Sequence, residues 1–163
     1  MSNNRIVFHA IGFVHSPHQR LSETPIQPVF CKGIKGSVHI YRQYSDALLH
    51  LEEFSHIYLL YCFHKVKKVR LIVKPYLEDK EHGLFATRAP CRPNPVGLSL
   101  VKLLSVKDNI LYIEDVDILD GTPVLDIKPY IQRYDSRKRV RSGWQEHISN
   151  KAAKLGGKRN FRM

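Results

Sequence analysis

The chain of 163 residues has no long hydrophobic run: its longest apolar stretch goes from Ile57 to Phe63, far short of the roughly 20 residues that a membrane-spanning helix needs. The beginning, MSNNRIVFHA, lacks the basic start, apolar stretch and small-residue cleavage site of a secretory signal. Cysteine is scarce. The three present, Cys31, Cys62 and Cys91, are odd in number and widely spaced, which argues against a disulfide framework and for a reducing, cytoplasmic setting. No C-x-x-C pair occurs, and His15 and His18 with Cys31 downstream match no zinc-site spacing, so no metal is expected. The patterns G-x-G-x-x-G and G-x-x-x-x-G-K-[ST] are also absent, which removes the usual warrants for a dinucleotide enzyme or a P-loop protein. Nor does any segment repeat itself.

Acids are nearly missing from one region. Residues 136–163 carry nine Lys and Arg against the single acid Glu146, so this segment holds +8 of the net +11 and the part before it, 1–135, holds +3. At 43% hydrophobic and 25% charged, the chain has an ordinary globular composition, and its length suits one domain. The division expected is a folded unit at 1–135 and a basic tail at 136–163. Such a tail fits a polyanion, because each cation laid on a phosphate releases counterions. The alternative is a solvated tail that serves solubility.

As far as Tyr130, short strand-like runs dominate the chain and predict a mainly β protein. Phe8 to Val14, Ser37 to Tyr41, Ile57 to Phe63, Val69 to Val73 and Val124 to Ile127 read as strands, the third as one buried on both faces. Gly97 to Val106 and Ile110 to Ile113, joined by Lys107-Asp108-Asn109, read as a hairpin with a three-residue loop. One helix is expected: after Ser45 as N-cap, Ala47, Leu48, Leu51 and Phe54 are apolar at helical spacing. Trp144 and Ile148, four apart, predict a short helix anchoring part of the tail. The fold class is an antiparallel β-barrel or sandwich with a short helix and a basic, partly helical C-terminal tail.

Two segments carry candidate chemistry. In residues 85–100, FATRAPCRPNPVGLSL, three prolines stiffen a loop bearing Arg88, Arg92 and Asn94. Guanidinium forks on a stiff loop suit a carboxylate or phosphate, whereas composition alone favours a surface turn with solvated arginines. In residues 117–130, DILDGTPVLDIKPY, Asp117, Asp120 and Asp126 surround a turn at Gly121-Thr122-Pro123. Alternation puts Asp126 on the opposite face from Leu125 and Ile127.

Together with IGFVHSP at 11–17, QPVF at 27–30 and LEEFSHIYLLYCFHK at 51–65, these two segments resemble the signature of the TsaA-like family, the tRNA methyltransferases called TrmO. The resemblance covers the chain roughly as far as Tyr130, and the chain looks like the single-domain archaeal form, without the additional C-terminal domain of larger bacterial relatives. It implies a β-barrel that binds S-adenosylmethionine, a homodimer with the cofactor pocket near the subunit interface, and the anticodon stem-loop of tRNA as partner. The implied reaction is methylation of the N6 nitrogen of N6-threonylcarbamoyladenosine at position 37. By the same resemblance Pro28, Val29, Phe30, His64 and Lys65 line one side of the cofactor pocket, Arg88 and Leu98 the other, and Asp117, Asp120, Gly121 and Thr122 complete it. Tyr130 and Asp126 rank above His64 as proton-handling groups, because the acceptor nitrogen must lose a proton. The rival readings are a non-catalytic RNA-binding barrel and a methyltransferase with a non-tRNA acceptor.

If the tail contacts phosphates, replacing Lys151, Lys154, Lys158, Arg159 and Arg162 by glutamine flattens the salt dependence of tRNA methylation while leaving cofactor affinity unchanged. Steady-state assays across a salt series check this; an unchanged slope assigns the terminal charge to solubility.

Overall fold

A computed structural model describes residues 5–148; Lys151, Lys154, Lys158, Arg159 and Arg162 lie outside them. Six antiparallel strands close into a barrel: β1 (Gly12–His15), β2 (Lys35–Ile40), β3 (His56–Cys62), β6 (Val96–Lys107), β7 (Ile110–Glu114) and β8 (Pro123–Pro129). Around the barrel they run in the order β1-β2-β7-β6-β3-β8. Two short strands, β4 (Ile72–Val73) and β5 (His82–Gly83), pair with each other inside the β3–β6 connection.

The period-2 pattern decides what fills the barrel. Ile57, Leu59 and Tyr61 of β3 are buried, as are Val101 of β6 and Leu111 and Ile113 of β7. Tyr58, Leu60 and Cys62 point the other way and are half-buried. The β3 run is therefore apolar on both faces, but only one face is in the core, a correction to the doubly buried strand expected from sequence.

The register places the chemistry at one end. His15 pairs with Ser37, Lys35 with Glu114, Cys62 with Val96, and Phe13 with Pro123. Consequently the β1–β2, β3–β6 and β7–β8 connections all leave from the same end of the barrel, and these hold Pro28–Phe30, His64–Arg88 and Asp117–Thr122 respectively.

Several local expectations differ from the structure. The helix expected after Ser45 is instead two 3-10 segments, Arg42–Leu48 and Leu51–Glu53, separated by His50 at φ 64°. Ser45 lies inside the first segment and caps nothing; apolar residues three apart serve a 3-10 turn as well as an α-helix. The β6–β7 hairpin has a two-residue turn, because Lys107 pairs with Ile110. Asp108 takes the left-handed φ of 53° that aspartate tolerates, and the Asn109 amide donates to the Ile40 carbonyl at 2.5 Å. The first strand begins only at Gly12, and Ile6, Val7 and Phe8 are exposed. Of the run Val69 to Val73, only Ile72–Val73 is strand.

Beyond β8 the chain forms one turn of helix, α1 (Gln132–Asp135), and a 3-10 segment at Gly143–His147. Trp144 donates from Nε1 to the Ala86 carbonyl at 2.9 Å and stacks on His82 at 5.2 Å between ring centroids. The anchoring expected of Trp144 is present, on a 3-10 turn rather than an α-helix.

Gly12 pairs with Ile40 of β2, and a Cβ there would fall on the His39 carbonyl, well inside van der Waals contact, with backbone atoms that cannot swing away. Gly12→Ala is expected to lower stability by about 3 kcal/mol or more in chemical denaturation. A loss below about 1 kcal/mol would mean that the strands separate there at little cost.

Candidate functional site

Cross-strand pairing assembles the first group of site residues. Leu98 on β6, Leu60 on β3 and Asp126 on β8 are directly opposite one another. They share the outer face of the sheet, about 4.8 Å from strand to strand. Leu98 is 50% exposed. The next row is Leu100, Tyr58 and Lys128, and the Tyr130 ring lies 5.9 Å from that of Tyr58 and 6.4 Å from that of His56. Burial raises the Tyr58 phenol above its ordinary value, aided by Asp135 and Tyr130, while the positive charge of Arg88 opposes the rise. Arg88 therefore belongs to the electrostatic surroundings of this outer face.

Arg88 is joined to the β1–β2 connection by Gln27, whose Oε1 accepts from Nη1 at 2.7 Å. Gln27 also starts the turn Pro28–Phe30: its carbonyl accepts from Phe30 N at 3.0 Å, and the Pro28 carbonyl from Cys31 N at 2.8 Å. The turn leaves Val29 75% exposed. No carboxylate pairs with Arg88 among the described residues. Arg92 is already occupied: Nη1 donates to the Thr87 carbonyl at 3.0 Å, and the guanidinium lies over the Phe85 ring at 5.5 Å. Of the two arginines on the proline loop, Arg88 is the one whose guanidinium makes no bond within that loop.

His64 and Lys65 follow closely on β3, both on the surface. Partial burial holds the His64 imidazole below its ordinary value, the neighbouring Lys65 charge adds to this, and a hydrogen bond with the Cys62 backbone opposes it. Asp126 is an ion-pair partner, its Oδ2 2.8 Å from Lys128 Nζ, and its Oδ1 accepts from the Ile127 amide at 2.9 Å.

The aspartate segment divides in two. Asp117 and Thr122 are only 2% and 3% exposed. The Ser99 hydroxyl donates to Asp117 Oδ1 at 2.6 Å, and the Tyr61 hydroxyl lies 3.1 Å from that same Ser99 oxygen. Asp117 and Thr122 hold the β7–β8 connection in the barrel end and present no surface to a ligand. Asp120 faces outward, accepting from the Ser16 amide at 3.0 Å and lying 3.6 Å from His15 Nδ1, while the Gly121 amide donates to the Val14 carbonyl at 2.9 Å. A groove of about 390 Å³ opens there, lined by residues that include His15, Ser16, Lys35, Ser37, Tyr112 and Asp120. None of Pro28–Phe30, His64, Lys65, Arg88 or Leu98 lines it. Beside it the His15 and His39 rings are 4.2 Å apart, and His39 is held below its ordinary value by burial, then by His15. Within one chain the expected pocket residues thus form two groups.

Residues not singled out from sequence include Gln27, which holds Arg88, and Tyr58, which packs beside Tyr130. Tyr58 was detectable as an outward position in the β3 alternation. His18 was not: it is buried with Nε2 donating to the Val116 carbonyl at 2.8 Å. No group of three His, Cys, Asp or Glu is placed to hold a metal among the described residues, and none of their helices is long and apolar enough to cross a membrane.

A closed barrel with an unpaired arginine beside an exposed apolar face at its loop end defines a small ligand-binding barrel, distinct from the doubly wound nucleotide folds. Residues 13–136 match the model of the tRNA-methyltransferase O N-terminal domain, and the chain belongs to that family. It is 50% identical over 149 residues to a probable S-adenosyl-L-methionine-binding protein of Pyrococcus abyssi, covering 91% of this chain and 81% of that one. It is 38% identical over 157 residues to a mouse tRNA (adenine(37)-N6)-methyltransferase, covering 92% of this chain and 36% of that one. The crystal structure of TrmO from Pseudomonas aeruginosa superposes with a TM-score of 0.73 at 33% identity, covering 86% of this chain and 63% of that one. The chain thus spans most of the archaeal relative, just under two thirds of the solved bacterial chain and about a third of the mouse enzyme.

Replacing Lys65 by glutamine removes the second cause of the depressed His64 value and leaves burial, so the titration midpoint moves up toward the ordinary 6.5 without reaching it. Imidazole chemical shifts followed against pH by NMR check this, and an unmoved midpoint would place Lys65 too far away to act.

Proposed function

We propose that the chain is an S-adenosylmethionine-dependent tRNA methyltransferase acting on the N6 nitrogen of adenosine 37, with N6-threonylcarbamoyladenosine as the acceptor. The observation that carries this reading is the Arg88 guanidinium, unpaired with any carboxylate among the described residues and held by Gln27 two residues before the exposed Val29, at the same loop end of the barrel as the exposed Leu98. That donor set fits the cofactor chemically: a fork for the methionyl carboxylate next to apolar surface for the adenosine. The relatives' names support the same chemistry.

In this reading Arg88 and Lys65 hold the carboxylate end, Pro28, Val29, Phe30, His64 and Leu98 form the pocket wall, and Asp120 with Gly121 serves the far end. When bound, S-adenosylmethionine supplies an electrophilic methyl group on a cationic sulfur. The chain's own work is to orient the acceptor nitrogen in line with that methyl and to exclude water. The nitrogen must also lose its proton. Asp126, on the Leu98 row, is the group to receive it, with Tyr130 positioning the acceptor beside Tyr58. Asp117 and Thr122 act indirectly, by fixing the loop that carries Asp120.

A homodimer accounts for the division of the pocket residues. A second copy packed against the Leu98–Leu60–Asp126 face would bring its Asp120 group toward the Arg88 group of the first and cover apolar surface in doing so. The barrel unit at 1–135 then carries the chemistry, the tail at 136–163 supplies charge toward the anticodon arm, and the cytoplasm is the place of action.

The experiment is titration calorimetry with S-adenosylmethionine, followed by mass spectrometry of nucleosides from anticodon stem-loops carrying either adenosine or N6-threonylcarbamoyladenosine at position 37. Wild type binds the cofactor and transfers a methyl only to the modified loop. Arg88→Ala loses about 1.5 to 3 kcal/mol of cofactor affinity, roughly one to two decades. Absence of cofactor binding refutes the enzyme reading, and methylation of the unmodified loop refutes the choice of acceptor.

A further inference from the structure

The β3–β6 connection carries a second surface beside the pocket, with a composition of its own. Lys67, Lys68 and Arg70 are exposed, and none makes an ion pair among the described residues. Of the acids that follow, Asp79 is committed to Lys74 at 2.8 Å and Glu78 to His82 at 2.5 Å, and Glu81 is exposed. Backbone bonds tie this basic run to the proline loop: Arg70 N donates to the Cys91 carbonyl at 3.1 Å, and Leu84 N to the Leu71 carbonyl at 2.8 Å. The cations therefore sit next to Leu84–Ala86 and Arg92.

Within that turn the two apolar neighbours are treated oppositely. Leu84 is buried, whereas Phe85 is 77% exposed, with the Arg92 guanidinium over its ring at 5.5 Å. Phe85 is held out in this position by its neighbours. The Leu84 carbonyl accepts from the Thr87 hydroxyl at 2.8 Å, and the Ala86 carbonyl accepts from Trp144. A large aromatic fixed in water forgoes the stabilisation that its burial would bring. Its exposed ring, with the Arg92 guanidinium over it, is an aromatic surface beside the unpaired cations Lys67, Lys68 and Arg70.

We propose that Phe85 with Arg92 is a stacking platform for an unpaired nucleobase of the anticodon loop, and that Lys67, Lys68 and Arg70 hold the adjoining phosphates. The inference rests on the tRNA reading and adds where the RNA lies. Single-stranded RNA combines an exposed π-face with a regular negative charge, which is what this surface complements. A second copy of the chain is the poorer occupant, because a two-fold contact would set three unpaired cations against their own images.

The test uses the full chain, a fluorescent 17-nucleotide anticodon stem-loop, and a duplex of equal length without a loop. Phe85→Leu weakens the stem-loop roughly five- to a hundredfold and leaves the duplex unchanged, while Phe85→Trp restores stem-loop binding. The combined variant Lys67→Gln, Lys68→Gln, Arg70→Gln reduces the slope of log affinity against log salt by about 2. Calorimetry finds cofactor affinity unchanged in all of them. Wild type that binds the stem-loop no better than the variants do overturns this inference alone, whereas wild type that neither binds nor methylates any stem-loop overturns it together with the tRNA reading. Phe85→Leu that lowers cofactor affinity with RNA binding intact makes Phe85 a pocket wall instead, and Phe85→Leu that shifts the sedimentation of the protein makes it a subunit contact.

Discussion

Everything in this molecule hangs on the closure of one sheet, and that closure is narrow. β1 meets β8 through only Gly12 with Val124 and Phe13 with Pro123 in register. Three further backbone bonds extend the seam: Ile11 N to the Val124 carbonyl, Val14 N to the Thr122 carbonyl, and Gly121 N to the Val14 carbonyl. Without the seam, β1 and β8 would each present unpaired amides and carbonyls, and the barrel would be an open sheet with two edges. Two of the three extending bonds come from Gly121 and Thr122, so the turn that presents Asp120 is also the last piece of the barrel wall. Stability and site share these residues, and neither can be altered there without the other.

Closure also sorts the loops. In an antiparallel barrel successive connections alternate between ends, and here the short hairpin at Asp108-Asn109 and the paired 3-10 segments at 42–53 fall at one end while the β1–β2, β3–β6 and β7–β8 connections fall at the other. These three connections hold the Pro28–Phe30 turn, the proline-stiffened arginine loop and the aspartate turn. A small barrel thereby gains a rigid rim with one plain and one functional end, the same division of labour that lets other barrels vary their chemistry through loops on a constant scaffold.

Much of this was legible in the sequence because strand alternation and turn chemistry are local signals. The barrel class, the barrel strands in outline, the β6–β7 hairpin and the anchoring role of Trp144 all follow from patterns a few residues long. The failures are equally local in origin. Leu48 and Leu51 fit an α-helix and a 3-10 turn alike, and only His50 in the left-handed region breaks the tie. The β8 strand continues to Pro129 because Lys128 and Pro129 pair with Tyr58 and Ile57, partners far away along the chain that no local pattern reveals. For the site, sequence pattern found the segments but not their allocation: Asp117, Asp120 and Thr122 look alike as motif residues, and only packing separates a buried carboxylate and hydroxyl from an outward one.

That packing explains why the two signature segments occur together. Tyr61 fills the barrel end at the level of Gly97, where an added Cβ would overlap the tyrosine ring, so the glycine of the proline loop makes room for a core aromatic. The hydroxyl of that tyrosine bonds Ser99, and Ser99 bonds Asp117. Buried polar groups linked in this way stabilise the fold only when each is satisfied. Loss of Ser99 would take a hydrogen bond from both neighbours at once, and a larger residue at position 97 would displace the tyrosine that starts the chain of bonds. The segment ending in Ser99 and the segment beginning at Asp117 are thus two halves of one buried construction, which ties the strand entered from the Arg88 loop to the connection that carries Asp120. What reads in the sequence as two separate motifs is, in the folded chain, a single buried support between the two groups of site residues.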